Sequence, residues 1–262
     1  MGSCKRLSAL TGIKSRRVSL FLTLKLWNFH WLCVTIDQQF KQVEFMGKKA
    51  ALIGATGATG QHLLVNLCDS GVYDCVQAFG RKRVYPQSNL VEEHLIDFDR
   101  PETWSSLIRA DDIFLCLGTT LRIAGSKAAQ YKVDFEYQYA FAKCAREQGA
   151  KRVFVISSPG ASPSANGFYL RMKGELDEAV KTLGFETTVL IKPSLIRALR
   201  EDKRIGERLG DRLLTPLCRL PVLRRYRPIN ATELAHAIAI IATQIEAPAS
   251  EYVLDDIQSV LP

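Results

Sequence analysis

An apolar run, Ala50-Ala51-Leu52-Ile53, ends at Gly54-Ala55-Thr56-Gly57-Ala58-Thr59-Gly60, and a helical pattern follows over Thr59–Ser70. A strand that turns directly into a helix over glycines spaced three apart leaves little freedom in the choice of fold. The glycines permit a tight turn and a close backbone approach to a pyrophosphate. The helix N-terminus then offers unpaired N–H groups and a positive dipole end to that anion. A lone glycine pattern is weak evidence, but one lying between a strand and a helix at the head of a βα series is strong.

Such a series follows. Strands are predicted over Lys49–Gly54, Asp74–Phe79, Glu92–Ile96, Asp112–Leu117, Lys151–Ser157 and Glu186–Lys192, with helices over Thr59–Ser70, Gly125–Gln148 and Tyr169–Leu183. Gly149 and Gly184 stand where helix C-terminal glycines belong. A further apolar helix, Ala231–Ile245, and a short strand near Tyr252–Leu254 close the chain. This alternation reads as α/β, a Rossmann-type doubly wound parallel sheet, with a small C-terminal substrate-binding elaboration from about residue 193. With 47% hydrophobic and 24% charged residues in 262, the composition excludes collagen-like, disordered and disulfide-stapled chains. The seven cysteines form no C-x-x-C pair and the four histidines include no pair at metal-ligand spacing. Reduced thiols and no metal site are therefore expected.

The second strand's end selects the cofactor. A carboxylate about 20 residues past the glycines would bind the ribose hydroxyls of NAD. Instead Arg81 stands there, followed by Lys82 and Arg83. A cationic cluster at this point suits the 2′-phosphate of NADP and lacks the acceptor that NAD prefers.

Two Tyr-x-x-x-Lys pairs occur, Tyr139/Lys143 and Tyr169/Lys173. Spacing of four puts both side chains of a pair on one helix face. Tyr169 follows a strand that ends in Ser157-Ser158, whereas Tyr139 lies inside the preceding helix with no such serine upstream. Tyr169/Lys173 is therefore taken as functional and Tyr139/Lys143 as a helix-surface pair. Carbonyl reduction needs a proton at oxygen as well as a hydride at carbon. An ammonium beside a phenol is expected to lower the phenol's pKa, partly offset by desolvation, and can also hold the nicotinamide ribose. A serine at the strand end orients the substrate oxygen, and either Ser157 or Ser158 could do so.

These residues resemble the short-chain dehydrogenase/reductase superfamily in its atypical branch. Residues 46 to about 245 are similar, more narrowly, to the Tat-interactive protein 2-like oxidoreductases. The matching segments are Gly54–Gly60, Gly80-Arg81, Asp97-Phe98, Cys116–Thr120 with Ala124-Gly125, Val133-Asp134, Ser157-Ser158, Phe168–Leu170 with Lys173–Glu175, Lys192–Leu195 and Gly206–Leu209. The resemblance implies a bound NADPH with Ser, Tyr and Lys in reductase roles. By the same likeness, Thr56 to Thr59 (with Gly57 and Ala58) hold phosphate, Asp97 faces the adenine, Leu117 and Gly118 the cofactor's sugar edge, and Pro193 the carboxamide. Ser158-Pro159 departs from the family pattern, as does the segment before residue 46.

Charge is unevenly spread within the total of +8. Residues 1–45 carry a net +5, residues 197–227 a net +6, and the remainder sums to −3. The slightly acidic body argues against a specific nucleic-acid partner. Residues 1–45 read in three ways: a translated upstream leader with initiation at Met46, an interfacial membrane-binding segment, or an organelle transit peptide. Lys25, Asn28 and His30 interrupt its apolar stretch Val18–Ile36, which disfavours a membrane span. The arginines of the second patch, among them Arg200, Arg204, Arg208 and Arg212, are a solvated face, a site for an anionic substrate or partner, or a contact with anionic membrane.

Two functions meet these features. One is an NADPH-dependent reductase of a carbonyl or similar small substrate, as a monomer or homodimer in the cytoplasm. The other is a non-catalytic NADP(H)-sensing regulator or assembly factor. If residues 1–45 are retained, peripheral membrane contact or organelle targeting enters.

Overall fold

In the computed structural model the described residues are 47–84, 88–197, 227–245 and 247–261. The leader and most of the arginine-rich stretch, including Gly206–Leu209, lie outside them. Strand β1 (Lys48–Ile53) leads into α1 (Ala58–Asp69), then β2 (Tyr73–Gly80), β3 (Val91–Leu95) and β4 (Asp112–Leu115). Next come two short helices, α2 (Leu121–Ala124) and α3 (Lys127–Tyr131), a π-helical turn (Lys132–Glu136) and α4 (Tyr137–Glu147). The chain continues through β5 (Arg152–Ile156), α5 (Phe168–Lys181), β6 (Thr187–Lys192) and β7 (Ile196–Arg197). The described chain then resumes with β8 (Ile229–Asn230), α6 (Ala231–Gln244), β9 (Ala249–Val253) and α7 (Asp255–Ser259).

Seven strands form one parallel sheet in the order β3-β2-β1-β4-β5-β6-β9, while β7 and β8 pair separately. Successive residues of a strand face opposite sides of the sheet, and the two cores divide accordingly. Leu52, Phe114, Phe154, Val189 and Ile191 pack with Leu63 and Leu67 of α1 and Leu234, Ile238 and Ile241 of α6. Their neighbours Ile53, Ile113, Leu115, Val153, Val155 and Leu190 pack with Phe141 of α4 and with Leu176 and Val180 of α5. Burial on both faces explains why these strands read as continuous apolar runs.

Two expectations change. The helix predicted over Gly125–Gln148 starts later, because Gly125 takes φ 82° as the left-handed cap of α2. Ser126 then caps α3, its Oγ accepting from the Ala129 N–H at 3.1 Å. The strand expected near Tyr252–Leu254 is longer and joins β6 along five residue pairs. Within the region after residue 193, α6 and β9 thus belong to the main core and sheet.

At the N-terminal ends of β4 and β5, the buried Asp112 accepts from Tyr73 Oη at 2.7 Å and from Arg152 Nε at 2.6 Å. Arg152 Nη2 also binds the carboxylate. Burial, followed by the Asp112 charge, pushes the Tyr73 phenol upward. Removing one member of such a pair strands the other charge. Asp112→Ala should therefore cost about 3–5 kcal/mol of unfolding free energy in a denaturant titration.

Candidate active site

The C-terminal ends of β1, β2, β4, β5 and β6 are brought side by side by the strand order, and the sequence-predicted residues lie along that edge. Gly54 has φ +86°, and a Cβ there would collide with the Cys116 carbonyl and the Leu117 nitrogen. Gly60 lies inside α1, where a Cβ would collide with the Gly54 carbonyl. The Gly57 N–H donates to the Gly54 carbonyl at 2.8 Å. Helix α1 has Gly57 at its N-cap, makes no side-chain cap hydrogen bond and holds no acid in its first turn. Its leading N–H groups at Ala58-Thr59 and its positive dipole end are thus available to an anion. Thr56 is exposed and Thr59 buried.

After β2, Arg81, Lys82 and Arg83 are all exposed, and Arg83 Nε lies 3.9 Å from Glu93 Oε2. The Ile96 N–H donates to the Gly80 carbonyl at 2.9 Å, tying the start of the Asp97 turn to this strand end. Asp97 is exposed; its Oδ1 accepts from the Asp99 N–H at 3.0 Å. Leu117 is half-buried, Gly118 exposed and Pro193 buried just after β6. This edge combines a glycine turn at a helix N-terminus without a side-chain cap, a cationic corner and a polar turn, which fits a dinucleotide.

The two serines part company. Ser157 is 4% exposed, and its Oγ donates to Asp177 Oδ2 at 2.7 Å. Ser158 is half-buried, and its carbonyl accepts from the Ala161 N–H at 3.0 Å. Tyr169 and Lys173 occupy successive turns of α5. Gly174 lets this helix press on the loop after β5, since a Cβ there would collide with the Ser162 backbone. Lys173 is 3% exposed; its Nζ donates to the Ile156 carbonyl at 3.1 Å and stands 3.8 Å from Asp134 Oδ1. Tyr139 stacks on Phe135 at 6.0 Å and Lys143 is exposed, so that pair sits on the helix surface.

The electrostatics correct one expectation. Although 42% of Tyr169 is exposed, desolvation raises its phenol to about 12, and the Asp134 and Asp177 charges add to the rise. Lys173 is not among the groups that shift it; that ammonium faces Asp134 and the Ile156 carbonyl. Burial lowers Lys173, opposed by Asp134 and Asp177. Burial likewise raises Cys116 to about 12 despite Lys173, which keeps it a neutral thiol.

Sequence reasoning gave no role to Asp134 or Asp177. Both are buried and raised, chiefly by desolvation. Lys192 Nζ stands 3.7 Å from Asp177 Oδ2 and 2.9 Å from Glu251 Oε2. Their one sequence signal was position, since Asp177 lies four residues past Lys173 and Asp134 within a family-like segment. Among the described residues no group of three or more His, Cys, Asp or Glu could hold a metal ion, and no helix is long and apolar enough to cross a membrane.

No family model matches the sequence. "Protein fmp52, mitochondrial" of Emericella nidulans is 40% identical over 164 residues, 60% of this chain and 70% of that protein. The Candida glabrata protein of the same name is 32% identical over 165 residues, 62% and 70% of the two chains. "Protein HTATIP2" of Rattus norvegicus is 29% identical over 178 residues, 66% and 73%. Among solved structures, MoeE5 in complex with UDP-glucuronic acid and NAD aligns with a TM-score of 0.58 at 15% identity, covering 79% of this chain and 76% of that one. UDP-glucose 4-epimerase from Thermotoga maritima gives 0.59 at 12%, covering 81% of each chain. At these identities the structures establish the Rossmann-type fold.

Ser157 and Ser158 are separable by stability. Ser157→Ala leaves the buried Asp177 without its side-chain donor, at a cost of about 1.5–3 kcal/mol. Ser158→Ala should change stability by less than about 0.5 kcal/mol. Parallel urea titrations of the two variants check this ordering.

Proposed function

The chain belongs to the atypical short-chain dehydrogenase/reductase family that includes Fmp52 and HTATIP2, and on that premise we propose that it is an NADPH-dependent reductase of a small carbonyl compound. The observation that carries this reading is the grouping at one sheet edge. Tyr169 and Lys173 stand on successive turns of α5, after the serines that follow β5, on the sheet edge that also carries a glycine loop at a helix N-terminus without a side-chain cap.

When bound, NADPH supplies the hydride. The N–H groups of Ala58 and Thr59 would receive its pyrophosphate, with Gly54, Gly57 and Gly60 keeping side chains out of the cradle. Arg81 and Lys82 would pair with the 2′-phosphate. Thr56, exposed in the loop, would add to the phosphate contacts, Asp97 would face the adenine, Leu117 and Gly118 the sugar edge and Pro193 the carboxamide. Lys173 would hold ribose hydroxyls with its ammonium.

Tyr169 acts as the acid. A phenol held near 12 is fully protonated through the neutral range, so it can deliver a proton to the developing alkoxide. Ser158 orients the substrate oxygen, because the Ser157 hydroxyl is already committed to Asp177. The substrate is a small molecule, with no nucleic-acid partner and a monomeric or homodimeric enzyme. The word mitochondrial in the Fmp52 names supports an organelle address for this chain in place of the cytoplasm.

The test is cofactor binding followed by turnover. Arg81→Asp should weaken NADPH about 10- to 100-fold relative to NADH in a fluorescence titration, the loss of one charge-assisted contact. Unchanged relative affinities refute the 2′-phosphate assignment. Against a carbonyl panel, Tyr169→Phe should cut turnover about 10²- to 10⁴-fold with cofactor affinity kept. Equal turnover removes Tyr169 from the mechanism, while tight NADPH binding with no turnover on any carbonyl favours the sensor.

A further inference from the structure

Asp134 lies in the π-helical turn Lys132–Glu136, 1% exposed. π-turns within helices are frequent at functional sites. Its two carboxylate oxygens face different elements. Oδ2 accepts from the Thr119 N–H at 2.9 Å, on the segment after β4 that carries Leu117 and Gly118. Oδ1 stands 3.8 Å from Lys173 Nζ on α5, and a Cβ on Gly118 would come within 3.7 Å of the same oxygen. One helical turn before Asp134, the buried Gln130 donates from Nε2 to the Thr119 carbonyl at 3.3 Å. One turn after it, the buried Gln138 donates from Nε2 to the Asp134 carbonyl at 2.7 Å. Thr119 is therefore held by both its backbone groups, through the buried side chains of Asp134 and Gln130.

We propose that Asp134 is a positioning residue that ties the Lys173 ammonium to the Leu117–Thr119 segment, so that the lysine and this part of the cofactor site are held as one unit. The inference rests on the reductase reading for its functional consequence, but the tie itself is a property of the protein alone. The groups facing Lys173 are Asp134 from the π-turn, Asp177 from its own helix, the Cys116 thiol after β4 and the Ile156 carbonyl of β5. Burial disfavours the ammonium, and Asp134 opposes that. Removing its charge should therefore lower the Lys173 pKa further, whereas a purely steric role leaves that titration in place.

The experiment uses the full chain labelled with ¹³C,¹⁵N-lysine, the Lys173 signal being assigned with Lys173→Arg. In Asp134→Asn the Lys173 titration should move to lower pH by about one unit or more, while the retained amide oxygen keeps the Thr119 N–H protected from hydrogen exchange. Asp134→Ala should shift the titration similarly and also lose that protection. Asp177→Asn should shift Lys173 without changing Thr119 exchange. An unmoved Lys173 titration in Asp134→Asn overturns the proposal, as does unchanged Thr119 exchange in Asp134→Ala. Should Asp134→Asn fail to fold, Asp134→Asn combined with Lys173→Met should recover the fold by removing the stranded ammonium, and failure to recover it also overturns the tie. A separate NADPH fluorescence titration tells the two readings apart. Absence of NADPH binding by the wild-type chain defeats the reductase reading and leaves the lysine titration standing, whereas normal binding with an unmoved titration defeats only the tie.

Discussion

Three stretches of backbone converge where β1 ends: the turn at Gly54, the Cys116-Leu117 segment leaving β4, and the first turn of α1 at Gly60. None of the three can withdraw, because β1 is paired on both edges, to β2 and to β4, and α1 is buried against the sheet by Leu63 and Leu67. A Cβ at Gly54 or Gly60 would have to occupy space already filled by backbone atoms. This convergence aims the N-terminus of α1 at the crevice and fixes the segment that runs on to Gly118 and Thr119. The phosphate cradle and the lysine's surroundings are therefore two ends of one rigid arrangement.

Much of this was legible because it is written in residue type. Glycines at positions that admit no Cβ, apolar runs buried on both faces and a tyrosine-lysine spacing of four each have a local cause. The start of the long central helix was misread for an equally local reason. Gly125-Ser126 is a stop followed by a start, yet the apolar spacing on either side masks it. Strand β9 was underestimated because it is an edge strand with two of its five residues exposed and none fully buried, so its alternation is diluted. The serine question could not be closed from sequence, since adjacent residues point to opposite sides and only the packing of α5 shows which side holds Asp177.

The carboxylates stayed hidden for a different reason. An acid on a helix ordinarily reads as a solvated residue, and nothing local marks Asp134 or Asp177 as buried. Their burial is created by packing: α5 against the ends of β5 and β6, and the π-turn against the segment after β4. The same packing overturned the expectation for Tyr169. Spacing alone suggested a cation near the phenol, but the fold desolvates the phenol and adds two carboxylates, one of which, Asp134, faces that cation. In a low-dielectric site, proximity of two groups in sequence does not fix their mutual electrostatics until every other buried charge is placed.

Buried charge of this kind is costly unless it is paired, which bears on why the site is built as it is. Asp177 is held by Ser157 and faces Lys192, which itself bonds to Glu251 on β9. Asp134 is held by Thr119 and faces Lys173. Each carboxylate thus has one hydrogen-bond donor and one cation, drawn from different elements of the sheet edge. An arrangement of this form resists sliding of α5 along the strands, because any displacement would unpair two anions at once. The helix that carries the phenol is accordingly fixed by charges beneath it as well as by its apolar face, and those charges add to the rise that desolvation gives the phenol.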